Sequence, residues 1–251
     1  MPDHYWITEA QIERIKPYLP RSHGRPRVDD RRVISGITHV IRNGLRWRDA
    51  PEVYGPHKTL YNRFIRWSRL GVFNRIFAGL AATGGKPDQL MIDATHLKAH
   101  RTAASLLKKG MFPRRIGRTK GGLNSKLHAV CDGKGRPLIM LLSEGQMSDY
   151  KGAALMIDAF PKAKTLLADR GYDADWFRNA LAERNISACI PSKANRKVQM
   201  SHDGTLYRRR HKIENMFGRL KDWRRIHTRY DRCAHAFMSA ICVAATVIFW
   251  L

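Results

Sequence analysis

Apolar residues recur along this chain in two rhythms, and the change from one to the other falls near residue 86. Before it the spacing is helical. Ile7, Ile12 and Ile15 surround Thr8, Glu9, Gln11 and Glu13, which predicts a capped helix stopped by Pro17 and Pro20. A linker follows, Arg21-Ser-His-Gly-Arg-Pro-Arg27. Asp29 or Asp30 then caps a second helix through Val33, Ile34, Ile37, Val40 and Ile41, which Asn43-Gly44 closes. Trp47 to Gly55 reads as a turn-rich connector. From Lys58 to Leu70, Leu60, Tyr61, Phe64, Ile65 and Trp67 share one side of a helix, with Asn62, Arg63, Arg66 and Arg69 on the other. A helix, a turn and an Arg-rich helix suit a helix-turn-helix reader of the major groove, with Tyr61, Asn62, Arg63 and Arg66 as candidates for base readout. Gly84-Gly85-Lys86-Pro87 ends the helical region and divides the chain at residues 1–86 and 87–251.

Past that point strands and helices alternate. Leu90 to Thr95 is a short apolar strand. Lys126–Val130 and Leu138–Leu142 pair across the turn Asp132-Gly-Lys-Gly135. Asp149 caps a helix through Leu155, Met156 and Phe160. Thr165–Asp169 is a strand, residues 176–183 a helix, Ala188–Ile190 the last strand, and Tyr207 to about Tyr230 a long basic helix. The pattern predicts an α/β domain, a mixed sheet flanked by helices, preceded by a small all-helical one. From Cys233 to Leu251 there is no Lys, Arg, Asp or Glu, a run near the minimum for a bilayer span. His235, Ser239, Thr246 and several alanines interrupt it, so it is read as a helix buried against the sheet.

The charge changes the picture most. Among 251 residues, 46 Lys and Arg face 21 Asp and Glu, a formal net charge of +25. Such a field opposes folding unless an acidic polymer neutralises it, and nucleic acid releases condensed counterions when it does so. A ribosomal-type structural protein and a membrane-surface binder are the weaker readings. The four cysteines, Cys131, Cys189, Cys233 and Cys242, stand far apart with no Cys-x-x-Cys pair, which argues for buried reduced thiols rather than a zinc site or a disulfide framework. Met1 to Lys16 lacks the pattern of a secretory signal, so a cytoplasmic protein is expected.

Within this basic chain, two acids stand where acids are costly. Asp93 lies inside one apolar strand and Asp169 ends another, beside Leu90, Ile92, Leu166 and Leu167, where an unpaired carboxylate loses its hydration. One such residue is an ordinary strand-end cap; two invite a hard cation. On the expected long helix, Tyr207, Arg210, Glu214 and Lys221 fall within roughly a 60° arc, beside an apolar stripe of Ile213, Met216, Phe217 and Leu220. Three carboxylates of this kind hold two divalent ions for an in-line phosphodiester displacement. His96 and His100, four apart in a strand-then-loop segment, suggest a supporting or phosphate-binding role.

These segments resemble the acidic-triad (DDE) transposases of bacterial insertion sequences, in the group typified by insertion sequence five. The resemblance is carried by residues 92–101, by the basic stretch 115–129, by Ala168-Asp-Arg-Gly-Tyr-Asp173, and by Tyr207-x-x-Arg210-x-x-x-Glu214 followed by Lys221, the family's Tyr-Arg-Glu-Lys signature. Residues 223–230 continue it. The resemblance implies a ribonuclease-H-like catalytic fold, with Asp93, Asp169 and Glu214 as ligands of two Mg²⁺ ions and Mn²⁺ as a substitute. It implies that Tyr207, Arg210 and Lys221 grip terminal phosphates or an unstacked base. Lys120, Lys126, Arg224, Arg225 and also Arg208, Arg209 and Arg229 are read as DNA contacts, and Trp223 as a core residue. The expected partner is double-stranded DNA, the element's terminal inverted repeats and a target. Because two ends must be cut together, a homodimer on DNA is expected, associated with the nucleoid and not with a membrane.

Overall fold

The computed structural model describes residues 4–21, 28–105 and 113–251. The linker expected over residues 21–27 lies, but for Arg21, outside them. Two compact units form, neither continuous in sequence: residues 1–80, 99–114 and 220–251 make one, residues 81–98 and 115–219 the other.

The first unit is built on helices. In α1 (Glu9–Ile15) Thr8 Oγ1 accepts from Gln11 N and Gln11 Oε1 from Thr8 N, a reciprocal cap that satisfies two free amides of the first turn. Asp29 caps α2 (Asp30–Asn43), and Gly44 ends it at φ +68°, a left-handed conformation that glycine adopts without strain. A Cβ on Gly44 would also stand 2.7 Å from Arg224 Cβ. Two 3₁₀ turns, Trp47–Asp49 and Glu52–Tyr54, fill the connector to α3 (His57–Arg69). That link is longer than the three- or four-residue turn of a compact helix-turn-helix. The short glycyl turn at Gly71 leads into α4 (Val72–Ala82).

The second unit is a sheet protein. Strand β1 runs over Gln89–Ala99, longer than expected because the polar residues beyond Thr95 keep strand alternation while Leu97 and Ala99 stay buried. His96 is therefore in a strand, not a loop. Strands β2 (Gly117–Thr119) and β3 (Gly122–Asp132) turn at Lys120-Gly121, and β3 returns through β4 (Pro137–Glu144). Asp132 Oδ1 fixes that second turn by accepting from the amides of Lys134 and Arg136, both at 2.9 Å. After α5 (Asp149–Met156) come β5 (Thr165–Leu167), α6 (Asp175–Glu183) and β6 (Ser187–Cys189). Ser148, rather than Asp149, is the cap residue of α5. β1 is antiparallel to β3 and parallel to β5, and β5 is parallel to β6. β4 continues the sheet on the other edge of β3. One face packs Leu90, Ile92 and Val130 against Ala153, Met156, Phe177 and Leu181.

The long basic helix is instead three pieces: α7 (Gly204–Tyr207) with a 3₁₀ turn Arg208–Arg210, α8 (His211–Lys221), and α9 (Arg224–His227). His211 Nδ1 donates to Arg208 O at 2.8 Å and tightens the first break. The apolar stripe belongs to α8 alone.

Back in the first unit, the two-residue β7 (Thr228–Arg229) leads to α10 (Ala234–Phe249), whose buried residues include Phe237, Ile241 and Ala244. α10 packs on α2 and α3, not on a sheet. Its small and apolar residues on every side allow either partner, so its pattern alone cannot choose. Among the described residues, no helix is long and apolar enough to cross a membrane.

Candidate active site

The two costly acids of the sequence are brought side by side by strand register. β1 and β5 pair as Leu90 with Leu166 and Met91 with Leu167. Two residues beyond that ladder lie Asp93, still within β1, and Asp169, just past the end of β5, near enough for Asp169 to act on the Asp93 carboxyl. Each carboxylate has one backbone tether: Asp93 Oδ1 accepts from Ala94 N, and Asp169 Oδ1 from Gly171 N, both at 2.8 Å. Asp169 thereby caps the 3₁₀ turn Arg170–Tyr172.

The third acid arrives through an arginine. Arg210 Nη1 donates to Asp93 Oδ2 at 2.9 Å, and Nη2 donates to Glu214 Oε1. Its guanidinium also lies 5.9 Å from the centre of the Tyr207 ring. Tyr207, Arg210 and Glu214 are thus brought together despite the helix break. Lys221 ends α8, where burial lowers the pKa of its ammonium.

Burial raises the Asp93 carboxyl above its usual range, and Asp169 adds to the rise; the Ala94 amide and Arg210 oppose it without reversing it. The side chain of Asp93 is 18% exposed and that of Glu214 54%. Donor chemistry here is oxygen only, which suits a hard divalent cation. Among the described residues no three His, Cys, Asp or Glu groups stand close enough to hold a metal as they are, and the guanidinium of Arg210 is what lies between Asp93 and Glu214.

Two residues beside these acids were not given a role by the sequence. Tyr172 is fully buried, its hydroxyl without a hydrogen-bond partner among the described residues. Burial drives its pKa up, as do Asp149, Asp93 and Asp169. Asp173 receives Arg178 Nε at 2.8 Å, Arg196 Nη1 at 3.0 Å and Lys193 N at 2.8 Å. Only the motif Asp169-Arg-Gly-Tyr-Asp173 hinted at either. His96, expected near the acids, donates from Nε2 to Gly145 O at 2.9 Å.

The DNA-contact candidates fall into two sets. Tyr61, Asn62, Arg66, Lys120 and Arg224 are exposed. Arg63 turns inward to Asp30 at 3.1 Å and over the Trp67 ring, and Lys126 pairs with Asp149 at 2.7 Å. Arg225 is buried on Asp231 at 3.0 Å. Arg229, read as a phosphate contact, is wholly enclosed and donates to the carbonyls of Asp231, Arg114 and Arg232. Trp223 lies in the core. All four cysteines are free thiols, three buried and Cys233 half-buried.

Comparison with known proteins adds to this geometry. A family described as "Transposase DDE domain" matches residues 84–249, and one described as "Putative transposase of IS4/5 family" matches residues 7–77. A putative transposase for insertion sequence element IS6501 from Brucella ovis is 35% identical over 131 residues, covering 51% of this chain and 99% of that protein. A putative transposase for insertion sequence element IS402 from Burkholderia cepacia is 30% identical over 156 residues, 55% of this chain and 72% of that one. In fold, the chain is similar to the piggyBac transposase in a synaptic complex with hairpin DNA, with a TM-score of 0.50 and 8% identity over 94% of this chain and 69% of that one. The mixed sheet with its central β1 agrees with a ribonuclease-H-like fold.

Proposed function

The chain belongs to the DDE-domain transposases of the IS4/5 family, and from that premise we propose that Asp93, Asp169 and Glu214 form the centre that cuts and joins DNA strands at element ends. The observation that carries the proposal is the placement of Asp93 and Asp169 just beyond the paired ends of β1 and β5, with Arg210 linking Asp93 to Glu214. The substrate is the terminal inverted repeats, and the products are 3′-hydroxyl ends joined to a target. Asp93, Asp169 and Glu214 would hold two Mg²⁺ ions, or Mn²⁺ in their place, which would supply activation of the attacking oxygen and charge neutralisation at the leaving one.

The chain's own groups do the positioning. Asp93 and Asp169 are held by the Ala94 and Gly171 amides, so their orientation is set before any ligand arrives. Burial strips Asp93 of water beyond its contacts with Ala94 and Arg210, and a dehydrated carboxylate favours a strong cation. Arg210, freed from Asp93 and Glu214, grips a terminal phosphate, and Tyr207 stacks beside it. Lys221, Lys120 and Arg224 add phosphate contacts, with Lys126 and Arg225 supporting them from partly or fully buried positions. Tyr61, Asn62 and Arg66 read bases, and Arg63 sets the helix that carries them. The protein acts as a homodimer on paired ends, at the nucleoid in the cytoplasm.

Strand cleavage and transfer on DNA carrying the flanking inverted repeats, with Mg²⁺ or Mn²⁺, tests this directly. Asp169→Asn is expected to abolish both reactions while leaving DNA binding intact. A native chain that binds the repeats but never cuts them, under either ion, would refute the catalytic assignment. Light scattering of the paired-end complex is expected to give two protein chains.

A further inference from the structure

A second recessed surface, away from the acids in sequence, lies wholly within the helical unit. Trp47, Tyr61 and Tyr230 line a cleft of about 400 Å³, and Arg69, Arg232 and the Arg225–Asp231 pair complete it. Two of its aromatic rings are left largely open for a folded protein: Tyr61 is 44% and Tyr230 43% exposed. Tyr230 stays so although its ring packs on His100 at 4.9 Å, and Tyr61 although it packs on Trp47 at 5.8 Å. Arg69 and Arg232 are exposed and have no carboxylate partner among the described residues. The one acid present, Asp231, is already neutralised by Arg225, whose guanidinium also lies 5.4 Å from the centre of the Trp47 ring. The surface continues along α3 past Asn62 and Arg66.

We infer that this cleft binds a single unpaired nucleotide of a DNA strand, its base stacked on Tyr61 or Tyr230 and its phosphate held by Arg69 and Arg232. Both halves of the surface are needed to make the choice. Unpartnered cations alone select any phosphate, but open aromatic faces inside a recess serve only a base that has left the duplex stack. A paired base keeps its faces inside the duplex stack, out of reach of a ring set in a recess. The volume suits one nucleotide rather than a duplex segment. The inference rests on the chain's acting on DNA, and it adds a site for unstacked DNA distinct from Tyr207 and Arg210.

The test measures fluorescence anisotropy of a labelled ten-residue thymidine oligonucleotide and of a labelled duplex, at matched salt. Tyr230→Leu is expected to weaken oligonucleotide binding about tenfold, with duplex binding unchanged. Tyr230→Phe, which keeps the stacking face, is expected to bind as the native chain does. Arg69→Gln is expected to shallow the salt dependence for the oligonucleotide by about 0.7 in log–log slope. Cys233 lines the same cleft and is the only cysteine not buried, so its rate of maleimide labelling reports occupancy in the unaltered protein. The oligonucleotide is expected to protect it. Equal losses on duplex and oligonucleotide, or unprotected Cys233 at saturation, would overturn the inference. If neither DNA binds at all, the transposase reading itself fails instead.

Discussion

Two aspartates of the sheet unit, Asp93 and Asp173, are both withdrawn from water, yet their environments push them in opposite directions. At Asp173 burial raises the carboxyl, but the Lys193 amide, Arg178 and Arg196 overcome it and hold the group below its usual range. At Asp93 the Ala94 amide and a single shared arginine do not, and the group sits above its range. The first is saturated and the second is starved. A saturated acid is a piece of architecture, since everything it can accept is already supplied. A starved acid beside another carboxylate is a cost to the fold, and such costs persist where a ligand is meant to relieve them.

Asparagine substitutions separate the two most sharply. Asp93→Asn is expected to lower strand cleavage at least about a thousandfold, the scale on which losing one member of a catalytic unit acts, while thermal stability holds or rises. Asp173→Asn leaves two arginines facing a neutral group, and is expected to cost about 3–5 kcal/mol, a fall in Tm of roughly 10 °C by calorimetry. If the two variants lose stability alike, the distinction is wrong.

A smaller effect comes from His128, buried on the β3 strand and hydrogen-bonded through Nε2 to Ser143 Oγ at 2.9 Å. Burial, and then Lys126, push its pKa down to about 4, although Asp149 pulls the other way. The folded state therefore disfavours the protonated ring, whereas the unfolded chain titrates near its ordinary value of 6.5. The stability this neutral ring supports is complete above pH 6.5 and drains as the pH falls toward 4. Urea unfolding at pH 7 and pH 5 is expected to differ by about 2 kcal/mol from this group, and His128→Gln is expected to flatten that part of the slope. The smallest effect sharpens the account of Asp93. Arg210→Gln removes the cation that now lies between Asp93 and Glu214, so Mn²⁺ binding without DNA, followed by electron paramagnetic resonance, is expected to tighten several-fold. Weaker binding would mean that Arg210 orders the acids rather than competing for them.

Much of the architecture was legible because its causes are local. Thr8 with Gln11, Asp29, Gly44 and the Asp132 hairpin each announce an element end by chemistry within a few residues. Asp93 and Asp169 stood out because acids in apolar strands are expensive wherever they occur. Their adjacency was not legible, since it depends on the register of two parallel strands far apart in the chain. The fates of the arginines were hidden for the same reason. Arg225 needs Asp231 and the Leu45 carbonyl, and Arg229 needs carbonyls from residues 114, 231 and 232, so sequence spacing could not tell either from Arg224, which is exposed. The fate of α10 turned on what was available to cover it, and its own pattern does not say.

The interrupted course of the helical unit has a consequence for how the protein is made. Helices α1 to α3 leave the ribosome early, but α9 and α10, which pack on α2, come from residues 224–249. At roughly 5–20 residues per second, the apolar side of α2 waits on the order of ten seconds or more for its cover. During that interval it is a natural client for a holding chaperone. A message cut short before residue 220 lacks the α9 and α10 cover of α2, so translation to the end of α10 is itself a condition for this helical unit to form.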